Sequence, residues 1–173
     1  VMVGAGTARA DDPQLTVRDM GPRRQPVRVV VSRRLDLPLL SNLARTARDV
    51  PLWLCHGPHV DPALVTAWQG IGARLLSCEV TQGQVDPVSV LNALGAEGLT
   101  RVFCEGGGAL AASLLSAGLV DELIGFTAGL AIGAEGLPGV GALGLARLDE
   151  AVRYRLVETR DLGGDVMHRW TRA

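Results

Sequence analysis

The sequence contains no lysine, and all 17 basic residues among its 173 are arginines. A P-loop lysine and a Schiff-base lysine are therefore excluded within this chain, because both mechanisms require a lysine side chain. The chain also has a single tyrosine, Tyr154, so it cannot supply the tyrosine–lysine pair of short-chain dehydrogenases. Three common catalytic arrangements are thus ruled out.

Cysteine and histidine are few and scattered. Cys55, Cys78 and Cys104 form no C-x-x-C pair, and the three histidines lack the spacing of metal ligands such as H-E-x-x-H. We therefore expect buried, reduced thiols in a cytoplasmic protein and no metal site. A nucleophilic cysteine is the weaker alternative, because no histidine lies at a suitable place in the sequence.

Charge and hydropathy argue against two classes of partner. The net charge is −1 and no basic stripe is present, so nucleic-acid binding has little electrostatic basis. No apolar run reaches the roughly 18 residues of a membrane span. Hydrophobic residues make up 47% of the chain and charged residues 20%, which indicates a folded protein with a substantial core.

Short apolar runs alternate with helical patterns, and this alternation predicts an α/β domain with a largely parallel sheet. Asp61 and Asp86 each precede a proline, as N-cap residues often do, and Gly70 and Gly118 are expected to close two of the helices. The predicted strands cover residues 1–3, 27–31, 52–55, 74–78 and 101–104, and the predicted helices cover residues 62–69, 88–96 and 109–117.

The C-terminal part of the chain has a different pattern. Residues 122–128 are predicted to form a further strand, and residues 129–145 a glycine-rich loop. Residues 154–160 and 166–171 are predicted strands, which Leu162-Gly163-Gly164-Asp165 joins as an antiparallel hairpin. No linker or repeat divides the sequence, so we expect one domain over the whole chain.

The most informative segment is Glu105-Gly106-Gly107-Gly108, which lies between a predicted strand and a predicted helix. Three glycines let backbone N–H groups approach a ligand closely, and the positive end of the following helix points to the same place. These properties favour a phosphate-binding site, with Glu105 beside it to hydrogen-bond a polar substrate. The alternative is an ordinary strand-to-helix turn with a glycine cap.

A second glycine-containing turn, Gly4-Ala5-Gly6-Thr7, follows the first predicted strand. It offers another close backbone approach and a threonine hydroxyl, but it lacks the third glycine and the acidic residue of the Rossmann fingerprint. Further along, Arg18 could bind a phosphate through its guanidinium group, and a solvated loop arginine is the alternative. The Asp-Asp-Pro stretch at 11–13 likewise allows a simple Asx turn. Together the two glycine turns predict a nucleotide-shaped ligand across the edge of the sheet.

Four stretches occur together in the chain: Val3-Gly4-Ala5-Gly6-Thr7, Ala10-Asp11-Asp12-Pro13 with Leu15-Thr16-Val17-Arg18, Glu105-Gly106-Gly107-Gly108, and Leu119-Val120-Asp121-Glu122-Leu123. Their order and spacing resemble those in the reductase domain of the bifunctional riboflavin-biosynthesis deaminase/reductase. The resemblance extends from residue 1 to about residue 170. The resemblance implies a dihydrofolate-reductase-like α/β fold. Such a fold is a single domain with a mixed, mostly parallel sheet, flanking helices and a C-terminal antiparallel hairpin.

The resemblance also implies a function. Reductases of this family convert the ribosyl group of 5-amino-6-(5-phosphoribosylamino)uracil to a ribityl chain, with NADPH as the donor of hydride to the sugar C1′. The expected partners are therefore NADPH and a phosphorylated pyrimidine, with no nucleic acid and no membrane. A homodimer and a deaminase domain fused upstream are further expectations. Zinc, which belongs to the deaminase half, is not expected.

Candidate site residues come from the positions that match the family, except for Arg33, which lies where the chain departs from the family pattern. Leu15, Arg18 and Glu105 match substrate-contacting residues, and Arg18 would bind the sugar phosphate. Glu105 is the first candidate for handling a proton, and Asp11 is the second. The candidate cofactor-binding residues are Gly6, Thr7, Asp11, Arg33, Gly106, Gly107, Gly108, Ala109, Leu110, Ala111, Ala112 and Ser113.

The chain departs from the family pattern in two places. Ser32-Arg33-Arg34 stands where an Asp-Ser pair is usual, and Arg33 could favour the 2′-phosphate of NADPH, with exposed loop arginines as the alternative. The opening strand of the family, with its S-x-D-G segment, is absent from the sequence, and we expect it to precede residue 1 in the gene product.

Two other functions compete with this hypothesis. One is a same-fold reductase for another pterin- or pyrimidine-like substrate, and the other is a non-catalytic nucleotide-binding or dimerisation domain.

Overall fold

The computed structural model describes residues 1–21 and 23–173, which form ten strands and five α-helices. Two short 3-10 helices, Gly133–Glu135 and Leu148–Glu150, lie in the C-terminal part. In chain order the elements are β1 (Met2–Gly4), α1 (Ala5–Asp11), β2 (Arg28–Val31), α2 (Asn42–Arg45), β3 (Leu52–His56), α3 (Pro62–Ile71), β4 (Arg74–Ser77), β5 (Val80–Thr81), β6 (Gln84–Val85), α4 (Pro87–Ala96), β7 (Cys104–Gly106), α5 (Gly108–Ser116), β8 (Glu122–Thr127), β9 (Tyr154–Asp161) and β10 (Val166–Arg172).

The five strands of the main sheet are all parallel and lie in the order β4-β3-β2-β1-β7. Their register places Val3 opposite Val30, and Val30 opposite Leu54. A separate antiparallel sheet has the order β8-β10-β9, in which β9 and β10 form a hairpin. The parallel sheet and the C-terminal hairpin expected from the sequence are therefore confirmed. The small β5–β6 hairpin is an addition that the apolar pattern does not predict.

The parallel sheet is buried on both faces because helices cover each of them, and successive side chains of every strand point alternately to the two faces. Val30 and Leu54 contribute to one core cluster, which α1, α2 and α3 cover and which contains the buried indole of Trp68. Val29 and Cys55 contribute to the other cluster, which α4 and α5 cover. Burial on both faces explains why these strands appear in the sequence as continuous apolar runs.

Most helix ends agree with the sequence pattern. Asp61 and Asp86 accept hydrogen bonds from first-turn N–H groups of α3 and α4, at 2.8 and 2.9 Å, and so act as the expected N-caps. Gly118 follows α5 with φ +66°. The expectation for Gly70 is wrong, because α3 continues past it and closes at Gly72, where φ is +104°.

Two predicted boundaries near the other glycines are also wrong. The turn expected at residues 4–7 is the start of a helix, since Gly4 is the N-cap of α1 and Gly6 lies in its first turn. The strand expected at residues 101–104 is instead β7, so that Glu105 lies within the strand. The turn falls at Gly107, where φ is +88°, because β1 and β7 stay paired as far as Gly106.

The strand order creates a crevice at the carboxyl edge of the sheet, between β1 and β7. From β1 the chain continues into α1 on one face, and from β7 it continues into α5 on the opposite face. Parallel sheets bind ligands where the connections from two adjacent strands leave in opposite directions. The crevice is therefore the expected location of a site.

Candidate active site

Two helices begin side by side in the crevice. Gly4 and Gly107 are the N-caps of α1 and α5, and neither helix has a side-chain cap. Thr7 stands between them, because a Cβ atom at Gly106 or at Gly107 would lie 3.3 Å from the Thr7 hydroxyl oxygen. Glycine at these two positions therefore lets the start of α5 approach α1 closely.

The first turn of α5 presents free backbone donors. In the described part of the chain, the N–H groups of Gly108, Ala109 and Leu110 donate to no backbone or side-chain acceptor. These groups lie at the positive end of a nine-residue helix, and such a helix start favours anions. The arrangement has the donors and the polarity that a phosphate group requires.

A cleft of about 980 Å³ opens in front of both helix starts. Its walls include the end of β2, the β5–β6 turn at residues 81–84 and the chain at residues 141–143. Eight candidate cofactor residues line it: Gly6, Thr7, Arg33, Gly107, Ala109, Leu110, Ala112 and Ser113. These residues come from four separate elements and loops, which the fold brings together around one cavity.

Four of the candidate cofactor residues do not line this cleft: Gly106, Gly108, Ala111 and also Asp11, which lines the second cleft described below. Gly106 lies against Thr7, as described above. A Cβ atom at Gly108 would lie 2.7 Å from the carbonyl oxygen of Pro138, and the Gly108 carbonyl accepts a 2.8 Å hydrogen bond from the N–H of Gly141. The missing side chain of Gly108 thus makes room for the loop at residues 138–141.

The arginines of the large cleft differ in their ion pairs. Asp36 pairs with Arg9 at 3.2 Å and with Arg34 at 3.6 Å, and it also accepts a hydrogen bond from Ser32. Within residues 1–21 and 23–173, Arg33 has no carboxylate partner. Arg33 is therefore the cleft arginine whose charge is available to a phosphate group.

A second cleft, of about 610 Å³, lies beside the first, and the two share no lining residue. The chain segment at residues 12–18 forms most of its wall, and Asn42 contributes to it. Arg18 and Leu15 line this cleft together with Glu105 and Asp11. The three candidate substrate residues therefore lie around one cavity. Asp11 lies with them, although it was also expected to contact the cofactor, and its role stays a prediction.

The environments of Cys55 and Cys104 do not favour nucleophilic chemistry, whereas a hydrogen bond with Cys55 lowers the pKa of the buried Cys78 thiol. Cys55 and Cys78 are buried, as expected, and Cys104 is half-buried. Burial raises the pKa of the Cys104 thiol, and the neighbouring Glu105 carboxylate raises it further. The pKa of Cys55 is also raised, first by a hydrogen bond with Cys78 and then by burial. Cys55 and Cys104 therefore remain protonated near neutral pH.

Several residues around the clefts are not found by sequence reasoning. Asn42 lines the small cleft, and the pair of Asp36 and Arg34 borders the large one. The Gln82-Gly83 turn also borders the large cleft and could have been recognised as a hairpin signal. Nothing in the local pattern distinguishes Asn42 or Asp36 from ordinary surface residues.

The described residues contain neither a metal-binding cluster nor a membrane-spanning helix. No group of three His, Cys, Asp or Glu side chains that could hold a metal ion is found in residues 1–21 and 23–173. Across the same residues, no helix has the length and apolar character needed to cross a bilayer.

Comparison with known proteins gives consistent matches. The RibD C-terminal domain family matches residues 1–168. Riboflavin biosynthesis protein RibD of Actinobacillus pleuropneumoniae is 29% identical over 96% of this chain, which spans only 44% of that protein. The 2,5-diamino-6-ribosylamino-4(3H)-pyrimidinone 5′-phosphate reductase of Methanothermobacter thermautotrophicus is 32% identical, over 99% of this chain and 78% of the relative.

Solved structures share the fold. Acinetobacter baumannii RibD has a TM-score of 0.78 at 24% identity, covering 99% of this chain and 46% of that one. A pyrimidine reductase-like protein of Corynebacterium diphtheriae has a TM-score of 0.80 at 19% identity. The match covers 99% of this chain and 75% of that protein. With the family match over nearly its whole length, the parallel sheet and the crevice between β1 and β7, the chain belongs to the RibD C-terminal domain family.

Proposed function

We propose that this chain is an NADPH-dependent reductase of riboflavin biosynthesis, which converts the ribosyl group of 5-amino-6-(5-phosphoribosylamino)uracil to a ribityl chain. One observation carries the proposal: eight of the twelve candidate cofactor residues line one cleft, and the three candidate substrate residues line another. The two clefts are lined by residues only two positions apart at the end of β7, since Glu105 lines one and Gly107 lines the other. Family membership supports the reductase class.

The large cleft has the features that a phosphorylated dinucleotide requires. The free N–H groups of Ala109 and Leu110, which line this cleft, fit a pyrophosphate, and the glycines beside Thr7 permit a close approach. Arg33, without a carboxylate partner in the described chain, fits the additional phosphate that distinguishes NADPH from NADH. When bound there, the cofactor supplies the hydride, and the protein contributes binding and orientation.

The small cleft fits a sugar phosphate. Arg18 would bind the phosphate through two parallel hydrogen bonds, and Leu15 would pack against the apolar part of the substrate. Glu105 would accept hydrogen bonds from sugar hydroxyls or the pyrimidine and handle the proton that the reduction requires, with Asp11 as the second candidate. Both carboxylates line the same cleft as Arg18, so either can reach one bound molecule.

A second substrate is supported by a specific relative. The archaeal reductase, 32% identical, is named for a diaminopyrimidinone ribosyl phosphate rather than for the uracil. The two molecules carry the same phosphorylated sugar and differ in the pyrimidine ring, so the role proposed for Arg18 is the same for both. Comparing kcat/KM for the uracil compound and the diaminopyrimidinone compound identifies the preferred substrate.

The decisive experiment follows NADPH oxidation by the full-length protein. The substrates are 5-amino-6-(5-phosphoribosylamino)uracil and its dephosphorylated form. We expect the phosphorylated compound to react much faster, and Arg18→Ala to raise its KM by about 10- to 100-fold while the KM for NADPH stays within about twofold. No turnover by the wild-type protein would contradict the proposal and favour a non-catalytic domain. Equal turnover of the two compounds would favour a reductase for another substrate.

Assembly and location are also proposals. The family resemblance supports a homodimer in the cytoplasm, and the RibD relatives that extend well beyond this chain support a deaminase domain fused upstream. Measuring the molecular mass of the full-length protein in solution tests whether it is a homodimer. A subunit that stays monomeric at high concentration would contradict it.

A further inference from the structure

The segment at residues 12–18 has an unusual backbone. Asp12 and Leu15 have φ angles of +41° and +53°, in the left-handed region that residues other than glycine rarely adopt. All seven residues of the segment line the small cleft, and Arg18 is its last residue. A segment with two such residues keeps its shape only where surrounding contacts hold it.

Asn42, the first residue of α2, provides two of those contacts. Its backbone N–H donates to the Asp12 carboxylate at 2.8 Å, and its side-chain amide donates to the Asp12 carbonyl at 2.9 Å. Both the side chain and the backbone of Asp12 are thereby fixed to α2. The Asp12 carboxylate thus bonds across to a distant element rather than forming the local Asx turn that the sequence allows.

Arg28 provides the third contact. Its buried guanidinium donates to the carbonyl of Gln14 at 3.3 Å and to the hydroxyl of Thr46, just after α2, at 2.7 Å. The other terminal nitrogen donates to the carbonyls of Thr46 and Val50. In the described chain this guanidinium has no carboxylate among its hydrogen-bond partners. It therefore joins the 12–18 segment and the end of α2 through neutral oxygens.

We propose that Asn42 and Arg28 are positioning residues for the substrate: they hold the 12–18 segment in the shape that directs Arg18 to the sugar phosphate. This inference rests on the function proposed above. None of the hydrogen bonds described for Asn42 and Arg28 involves a residue that lines the large cleft. Loss of a contact should therefore affect the phosphorylated substrate and leave the cofactor unaffected.

Asn42→Ala in the full-length protein tests this selectivity. The substitution removes the bond to the Asp12 carbonyl, and we expect it to raise the KM for the phosphorylated substrate by about 5- to 10-fold with the KM for NADPH unchanged. If Asn42 acts by placing Arg18, the double variant Asn42→Ala/Arg18→Ala should be no worse than Arg18→Ala alone. Independent, multiplying effects would overturn the proposal.

Ser41→Ala is the matched control. Ser41 is the N-cap of α2 and accepts a hydrogen bond from the N–H of Ala44, but it makes no bond to Asp12. The substitution should lower the melting temperature without changing the substrate KM. An equal rise in KM for Ser41→Ala and Asn42→Ala would mean that general loosening of α2, and not the bonds to Asp12, is responsible, and would overturn the proposal.

Amide hydrogen exchange gives a readout that does not need turnover. We expect Asn42→Ala to accelerate exchange at residues 12–18, while α5 exchanges as in the wild type. Unchanged exchange in that segment would overturn the positioning role even if the enzyme is active. Absence of turnover in the wild type, with faster exchange in the variant, would instead contradict the proposed function and leave the structural part of the inference supported.

Discussion

Arg33 and Arg34 are neighbours in the sequence, but the structure gives them different surroundings. The Asp36 carboxylate pairs with Arg34, whereas Arg33 lies near the β5–β6 turn and has no carboxylate partner within the described residues. The sequence identifies an arginine pair after β2 but cannot distinguish its members, because the difference depends on Asp36 and on the unpredicted hairpin. Only the folded arrangement indicates which charge is free.

This difference predicts the cofactor preference. Arg33→Ala should raise the KM for NADPH by about 10-fold and leave the KM for NADH unchanged, because only NADPH carries the additional phosphate. Steady-state kinetics with both cofactors measure the effect. Arg34→Ala is the control, and it should change the ratio of the KM for NADPH to the KM for NADH by less than about twofold. A larger loss for Arg34→Ala than for Arg33→Ala would show that the assignment is reversed.

The three glycines before and within α5 form one motif in the sequence but have three different uses. Gly106 ends β7 against Thr7, Gly107 makes the turn with φ +88°, and Gly108 admits the loop at residues 138–141. The motif is enough to predict a strand, a turn and a helix in this order. It does not reveal the packing of the distant loop on α5, which depends on contacts between residues about thirty positions apart in the chain.

Gly107→Val tests the role of this turn. A β-branched residue with φ +88° is strained and would crowd Thr7, so we expect NADPH affinity to fall by about 10-fold or more. Fluorescence titration with NADPH measures the change. Gly70→Ala is the matched control, because Gly70 lies within α3 with open space around it. That substitution should leave NADPH affinity unchanged and stabilise the protein by about 0.5–1 kcal/mol. Normal NADPH binding by Gly107→Val would show that this turn does not contribute to the cofactor site.

The elements that the sequence does not predict have a common physical reason. Helix α2 has four residues and α1 has seven, too few to show a helical period, and α1 also begins with glycines that suggest a turn. The parallel strands could be predicted because burial on both faces makes each of them a continuous apolar run. The relation between the two clefts could not, since it depends on the strand order, and strand order is not encoded in any local pattern.

At the scale of the whole molecule, the two core clusters lie on opposite faces of one sheet. The reactivity of two cysteines can show whether the cluster covered by α4 and α5 stays closed. Cys55 and Cys78 belong to this cluster and are almost fully buried. We expect a thiol reagent to label both at least about 100-fold more slowly in the folded protein than in the urea-unfolded protein. Mass spectrometry of digested samples measures each site. Rapid labelling without loss of circular dichroism would show that the face covered by α4 and α5 opens independently.

The absence of any shared lining residue between the two clefts has a kinetic consequence. Within the described residues each cleft has its own lining, so the two ligands proposed above would bind to different sets of residues. For the proposed reductase, we therefore expect oxidised dinucleotide and ribityl product to dissociate independently of each other. The expected kinetic mechanism is one in which substrate and cofactor bind in random order, and product-inhibition patterns measure it.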